Sequence, residues 1–275
     1  IRGRAERIRA DGIDILIDLK GYTGSARPRI VAARPAAVNV NYQGYPGTMG
    51  GDFVDYIIAD SFLIPPGLDH AYAESIVRLP HSYQPNDRRR EIGVTPSRAA
   101  CGLPAGAFVF CCFNAPIKLH APWFAIWMRL LAANPNSVLW LSQGSPESVL
   151  NLLREAATHG VDSQRLIFAP RVPSTEAHLA RHAHADLFLD TLPYNAHTTL
   201  SDCLWAGVPA ITCAGNTFAG RVGGSLLAAA GLPELITSTP AAYESLANQL
   251  AQDAARLGEL RARLASNRLT APLFD

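Results

Sequence analysis

The sequence predicts an α/β protein of two lobes, the second a parallel sheet covered by helices on both faces. Three observations predict it. Short apolar, β-branched runs recur along the 275 residues. From Phe108 onward these runs alternate with stretches of helical spacing. Between the halves lies a polar segment containing Pro and Arg, 81–98, which reads as a linker. Residues 1–95 are therefore expected to be the C-terminal part of a first lobe, and 96–275 a second, doubly wound lobe.

In the first half the strand candidates are IDILIDL (13–19), AAVNVNYQG (36–44), VDYIIAD (54–60) and SIVRLP (75–80). In the second they are FVFCCFN (108–114), SVLWLS (137–142), RLIFAP (165–170), ADLFLD (185–190) and VPAITCA (208–214). Helical spacing fills 121–133, 146–158, 175–183, 197–206, 219–230 and 240–266, the last as one long helix. WFAIWMRLL (123–131) has the spacing of an amphipathic helix packed on a sheet. In such sheets ligands sit beyond the carboxyl ends of the strands, so the loops after 114, 142, 170, 190 and 214 should face one crevice. Residue 1 falls within a helical pattern and LTAPLFD stops without a closing element, the expectation for a piece of a longer protein.

Composition excludes several function classes. The chain is 48% hydrophobic and 17% charged with a formal net charge of +1, which supplies a core but no basic field for nucleic acid. The one dense basic run, Arg88-Arg89-Arg90, reads as a solvated part of the linker. No apolar run approaches the roughly 20 residues of a membrane span, and the N-terminal stretch lacks a signal-peptide core. A cytoplasmic location is the expectation. Five cysteines without CxxC spacing read as reduced, buried thiols. His178 and His182 stand at helical i, i+4 spacing but without a third and fourth ligand, so His182 and His184 read as surface or packing residues and no metal site is expected.

One stretch concentrates polar chemistry. LDTLPYNAHTTLSDCLWAGVPAITC (189–213) runs a strand into a polar turn and then a helix starting near Asn195 to Thr198. The free N–H groups of a helix start, with the hydroxyls of Thr198 and Thr199 and the imidazole of His197, can hold a phosphate. Asp202, one turn on from Thr198, can accept from sugar hydroxyls, the arrangement a nucleotide diphosphate needs. The alternative is that Asn195, Thr198 and Thr199 only cap the helix while Asp202 favours its dipole.

These residues resemble the O-GlcNAc transferase family. LDTLPYNAHTT with DCLWAGVP resembles its donor-binding segment, and DLKGYTGSARPRIVAARPAAVNVNYQGYPGTMG (18–50) its GYT…RPAP…GYPGT region. VDYIIADSFLIPP (54–66) and CCFNAPIKLHAP (111–122) fit in order, as do NPNSVLWL and APLF. The resemblance implies a GT-B glycosyltransferase fold of two Rossmann-like lobes. It implies inverting, metal-independent transfer of GlcNAc from UDP-GlcNAc to Ser or Thr of proteins, with UDP released, no cofactor, and the acceptor bound through upstream tetratricopeptide repeats. The sequence contains no Asp-x-Asp, the pattern by which many metal-dependent glycosyltransferases hold a cation.

By the same resemblance Lys118 matches the lysine that contacts the donor diphosphate, and His178 the histidine on which uracil packs. His197, Thr198 and Thr199 match the pyrophosphate turn and Asp202 the ribose contact. Gly44 and Pro46 match the first-lobe loop that approaches the sugar. The catalytic-base histidine would lie upstream of residue 1. Ala115, Ile117, Thr175, Tyr194 and Asp14 depart from the animal pattern, which carries Gln, Tyr, Lys, Cys and His there, and the animal insertion between the lobes is absent. Those departures leave two alternatives: a related enzyme using a GDP-sugar, as the plant fucosyl-transferring relatives do, or a nucleotide-sugar-binding scaffold without catalysis. A glycogen-synthase-like enzyme would need acidic residues against the donor ribose that the sequence does not show.

Overall fold

The computed structural model describes residues 2–274. Its contacts divide the chain into two compact units, one ending at Pro85 and including Thr217–Ala219, the other covering Asn86–Asn216 and resuming at Gly220. The boundary thus falls ahead of the expected one at 95, because 86–95 packs with the second unit.

In the first unit α1 (Arg2–Ala10) and α2 (Pro28–Ala32) accompany four parallel strands, β1 (Ile15–Asp18), β2 (Val38–Tyr42), β3 (Tyr56–Asp60) and β4 (Ser75–Leu79). The strands lie in chain order. Aspartates end two of them. Asp18 accepts from the Lys20 N–H at 2.9 Å, and Asp60 accepts from the N–H groups of Phe62 and Leu63, both at 2.9 Å. Such side chains satisfy turn amides and stop the extended run.

The second unit holds β5 (Phe108–Cys112), α3 (Ala121–Ala133), β6 (Ser137–Ser142), α4 (Pro146–Thr158), β7 (Leu166–Ala169), α5 (Thr175–Arg181), β8 (Leu187–Leu189), α6 (Thr198–Trp205), β9 (Ala210–Cys213), α7 (Val222–Ala229) and β10 (Ile236–Thr237). Two helices follow, α8 (Pro240–Gln252) and α9 (Ala254–Asn267), where one long helix was expected. The break is at Asp253, whose backbone leaves the helical region (φ −121°, ψ 84°) and whose carboxylate caps α9 by accepting from the Arg256 N–H at 2.9 Å.

All six strands of this sheet are parallel, in the order β10-β9-β8-β5-β6-β7. The chain builds outward from β5 to β7, then returns to the other side of β5 to place β8, β9 and β10. The winding therefore reverses between β5 and β8, and the loops leaving these two neighbours flank the crevice where an open α/β sheet binds ligands. Helix α3 buries Trp123, Phe124, Ile126, Trp127, Met128, Leu130 and Leu131, as its spacing predicts. Trp127, Trp140, Tyr243, Phe110 and Phe188 fill the core. The five cysteines are free thiols; four are buried as expected, whereas Cys101, ahead of the first strand of this sheet, is partly exposed. Among the described residues no helix is long and apolar enough to cross a membrane.

Candidate active site

The loop after β8 is held by a buried carboxylate. Asp190 accepts from the N–H groups of Thr191 at 2.7 Å and Ala196 at 2.6 Å, and from the Thr212 hydroxyl at 2.6 Å. Its carbonyl accepts from Trp123 Nε1 at 2.8 Å and from the Tyr243 hydroxyl at 2.9 Å. These bonds fold residues 191–196 back over the strand end, with Leu192-Pro193 in the cis form. Burial pushes the Asp190 carboxyl up to about 6, against the hydrogen bonds that favour its ionised form.

Asn195 belongs to this turn rather than to the helix cap that the sequence suggested. Its Nδ2 donates to the Thr191 carbonyl at 2.7 Å and its Oδ1 accepts from the Gly223 N–H at 3.2 Å. The Thr191 hydroxyl donates to the Tyr194 carbonyl at 2.7 Å and accepts from Asn114 Nδ2 at 2.8 Å, which ties the turn to the end of β5.

On this frame sits Lys118, in the short helical turn Pro116–Lys118. Its Nζ donates to the Asn195 carbonyl at 2.8 Å and lies 4.2 Å from the centroid of the Tyr194 ring. Tyr194 in turn stacks on His197, centroids 4.9 Å apart and planes at 23°. Burial lowers the pKa of the Lys118 ammonium, and the nearby Asp190 opposes that fall. An ammonium has three hydrogens to donate, and only one is committed to Asn195.

His197 occupies the position before α6 and supplies no side-chain cap; its carbonyl accepts from the N–H groups of Leu200 at 3.0 Å and Ser201 at 3.1 Å. Among the described residues the N–H groups of Thr198 and Thr199 meet no protein acceptor, leaving the first turn of α6 able to receive an anion. The capping-only alternative for Asn195, Thr198 and Thr199 does not describe this turn.

Asp202 is largely shielded from solvent and ion-paired with Arg90. This corrects the reading of Arg88-Arg89-Arg90 as uniformly solvated: Arg88 and Arg89 are exposed, whereas Arg90 is packed over the Trp205 ring, 5.3 Å from its centroid. Burial raises the Asp202 pKa and Arg90 pulls it back.

His178 stands on α5. Its Nδ1 accepts from Arg181 at 2.6 Å, and its ring lies 5.7 Å from Phe113 at the end of β5. Burial, then the Arg181 charge, holds the imidazole down to about 4, so it is neutral at physiological pH. His182 is fully buried against Phe113 and His178, with its Nδ1 donating to the His178 carbonyl at 2.8 Å. His184 Nε2 donates to the Pro96 carbonyl at 2.6 Å. Both are packing residues.

The second unit thus brings Lys118, His197, Thr198 and Thr199 to the switch point, with Asp202 one turn further along α6 and His178 beside the end of β5. Gly44 and Pro46 lie in the first unit, in the turn after β2, where the Gly47 N–H donates to the Tyr45 carbonyl at 3.0 Å. A Cβ on Gly44 would strike the Leu19 carbonyl oxygen and come within 3.2 Å of the Lys20 Cα. The close approach that requires glycine there is to the chain's own backbone. Sequence reasoning missed Arg90, Asp190 and Asn114, whose partners stand 112, 22 and 77 residues away.

The sequence profile of glycosyl transferase family 41 matches residues 2–93 and 84–275. The probable UDP-N-acetylglucosamine–peptide N-acetylglucosaminyltransferase SEC of Arabidopsis thaliana is 40% identical over 278 residues, covering 98% of this chain and 28% of that protein. The probable UDP-N-acetylglucosamine–peptide N-acetylglucosaminyltransferase SPINDLY of Hordeum vulgare is 35% identical, covering 98% of this chain and 29% of its own length. Among solved structures, a lysine-to-methionine mutant of the Thermobaculum terrenum O-GlcNAc transferase superposes with a TM-score of 0.90 at 34% identity, covering 99% of this chain and 53% of that one. The chain therefore spans less than a third of these plant relatives and about half of that structure. Its two parallel sheets with alternating helices are those of a GT-B glycosyltransferase.

Proposed function

The chain belongs to glycosyl transferase family 41, and from that membership we propose that its protein transfers N-acetylglucosamine from UDP-GlcNAc to Ser or Thr hydroxyls of proteins. The observation that carries the proposal is the bond from Lys118 to the Asn195 carbonyl, in the turn that leads into the uncapped start of α6 at the sheet's switch point. In the reaction the acceptor oxygen bonds to the anomeric carbon as the bond to the diphosphate oxygen breaks with inversion; UDP departs with the electron pair, and the hydroxyl proton passes to solvent or to the departing diphosphate. Charge grows on the diphosphate. A lysine and oriented N–H groups already aimed at that charge stabilise the transition state by about 3 kcal/mol each.

In this reading the uracil packs on the neutral His178 ring, a ribose hydroxyl donates to Asp202, and the turn bearing Gly44 and Pro46 serves the sugar. The cationic work falls to Lys118 and α6, so no metal or cofactor enters. The acceptor protein is held by tetratricopeptide repeats outside this chain, and the protein acts in the cytoplasm.

The test is transfer of labelled sugar by the full-length protein, supplied with UDP-GlcNAc or GDP-fucose, in buffer with and without EDTA. Alkali-labile label on protein from UDP-GlcNAc, unchanged by EDTA, is expected. Label from GDP-fucose alone would overturn the sugar assignment, and label from neither would favour a binding scaffold.

A further inference from the structure

We propose that Arg90 is a positioning residue for the nucleotide site: it holds the Asp202 carboxylate in the ionised state and orientation that receive a ribose hydroxyl. The inference rests on the reading of Asp202 as the ribose contact and extends it to a side chain 112 positions away.

Arg90 lies on a strap, residues 86–90, that crosses the outer half of α6 and is fastened at both ends. Asn86 Nδ2 donates to the Leu273 carbonyl at 2.9 Å, and the Ser201 hydroxyl donates to Asn86 Oδ1. At the other end Trp205 Nε1 donates to the Arg90 carbonyl at 3.1 Å. The side chain is fixed as firmly. Its Nε donates to the Asp87 carbonyl at 3.1 Å, its guanidinium lies over Trp205, and Nη1 donates to Asp202 Oδ1.

The side chains of Arg90 and Asp202 are only 17% and 15% exposed. At that burial a carboxylate without a cation tends to take up a proton, and a protonated carboxyl is a poorer acceptor for a hydroxyl. The Arg90 guanidinium opposes this, through the hydrogen bond from its Nη1 to Asp202 Oδ1. Among the described residues Nη2 is buried without an acceptor, so the charge of the guanidinium is spent on Asp202 and the Trp205 ring. Ser201 and Asn86 could fasten the strap alone; what Arg90 adds is a charge on Asp202.

The experiment is calorimetric titration of the full-length protein with UDP and with 2′,3′-dideoxy-UDP, for the wild type, Arg90→Gln and Arg90→Lys. The wild type should bind UDP more tightly than the dideoxy nucleotide. Arg90→Gln should weaken UDP by about tenfold, the loss of one charge-assisted hydrogen bond, while leaving dideoxy-UDP within about twofold. Arg90→Lys, which keeps the charge, should fall between and guards against misfolding of the glutamine variant. Equal weakening of both nucleotides would reduce Arg90 to a structural strap and overturn the proposal. Tighter UDP binding in Arg90→Gln would overturn it too, by showing that Arg90 competes with ribose. If the wild type does not distinguish the two nucleotides, the ribose reading itself fails, and the proposal with it.

Discussion

The Lys118 ammonium donates to the Asn195 carbonyl at 2.8 Å, joining the loop after β5 to the loop after β8 across the point where the sheet's winding reverses. A cation is thereby parked on a main-chain atom of the turn that leads into α6, whose first N–H groups meet no acceptor among the described residues. On the proposed function, replacing it removes charge stabilisation that matters most as the diphosphate leaves. Lys118→Ala should cut turnover roughly a hundredfold or more, in keeping with about 3 kcal/mol, with a smaller change in KM. Steady-state kinetics of the full-length protein check this. Equal losses in KM and none in kcat would place Lys118 in ground-state binding alone.

Asp190 is a structural carboxylate whose pKa is raised by burial to about 6. A folded-state value above the unfolded one means that the folded protein binds the proton more tightly. Its stabilising contribution is then fully present below the unfolded carboxylate pKa and is lost as pH rises through about 6, a difference of about 3 kcal/mol. His178 and His182, held down to about 4 and about 3, act in the opposite sense, with stability present above the ordinary histidine pKa and lost as pH falls. The readout is therefore the difference between wild type and Asp190→Asn in urea unfolding from pH 4 to pH 8. Asparagine can accept from Thr191 and Ala196 and donate to Thr212, so the variant should fold and gain relative to wild type as pH rises. A constant difference across that range would show that Asp190 does not titrate there.

His178 is neutral at physiological pH and braced by Arg181 and Phe113, the uncharged ring on which the proposed function packs the uracil. His178→Phe should keep most UDP affinity, while His178→Ala should lose about 1–3 kcal/mol, the usual worth of a stacked base. Calorimetry of both variants separates stacking from hydrogen bonding: a phenylalanine variant as weak as the alanine one would assign the role to the imidazole nitrogens.

Gly44→Ala should destabilise the first unit by about 1–3 kcal/mol, since the new methyl meets the Leu19 carbonyl oxygen rather than a movable side chain. Denaturant midpoints would show the shift, and an unchanged midpoint would mean that the turn after β2 relaxes freely.

How much of this was legible in the sequence depends on the distance over which each feature is made. The strands and most helices follow from local apolar periodicity, and SVLWLS and the helix at 146–158 appear with the bounds expected. The polar turn before α6 was legible because Asn195, His197, Thr198, Thr199 and Asp202 are neighbours in sequence. What was not legible is made by distant partners. Asp190 looked like a strand end until Trp123, Thr212 and Tyr243 closed on it, and Arg90 looked like one of three solvated arginines until Asp202 and Trp205 met it. The split at Asp253 was missed because an unbroken apolar period continues across a residue that caps the second helix. Gly44 was read for its chemistry toward a ligand, and the crowding against Leu19 has no signature in the sequence around it.

The central claim is that Lys118, the first turn of α6 and Asp202 form a site for a uridine diphosphate. Calorimetric titration of the full-length protein with UDP and GDP, alongside Lys118→Ala and Asp202→Asn, tests it most directly. The account predicts saturable binding that favours UDP and is weakened by each substitution. Preference for GDP, or UDP binding that neither substitution alters, would contradict it.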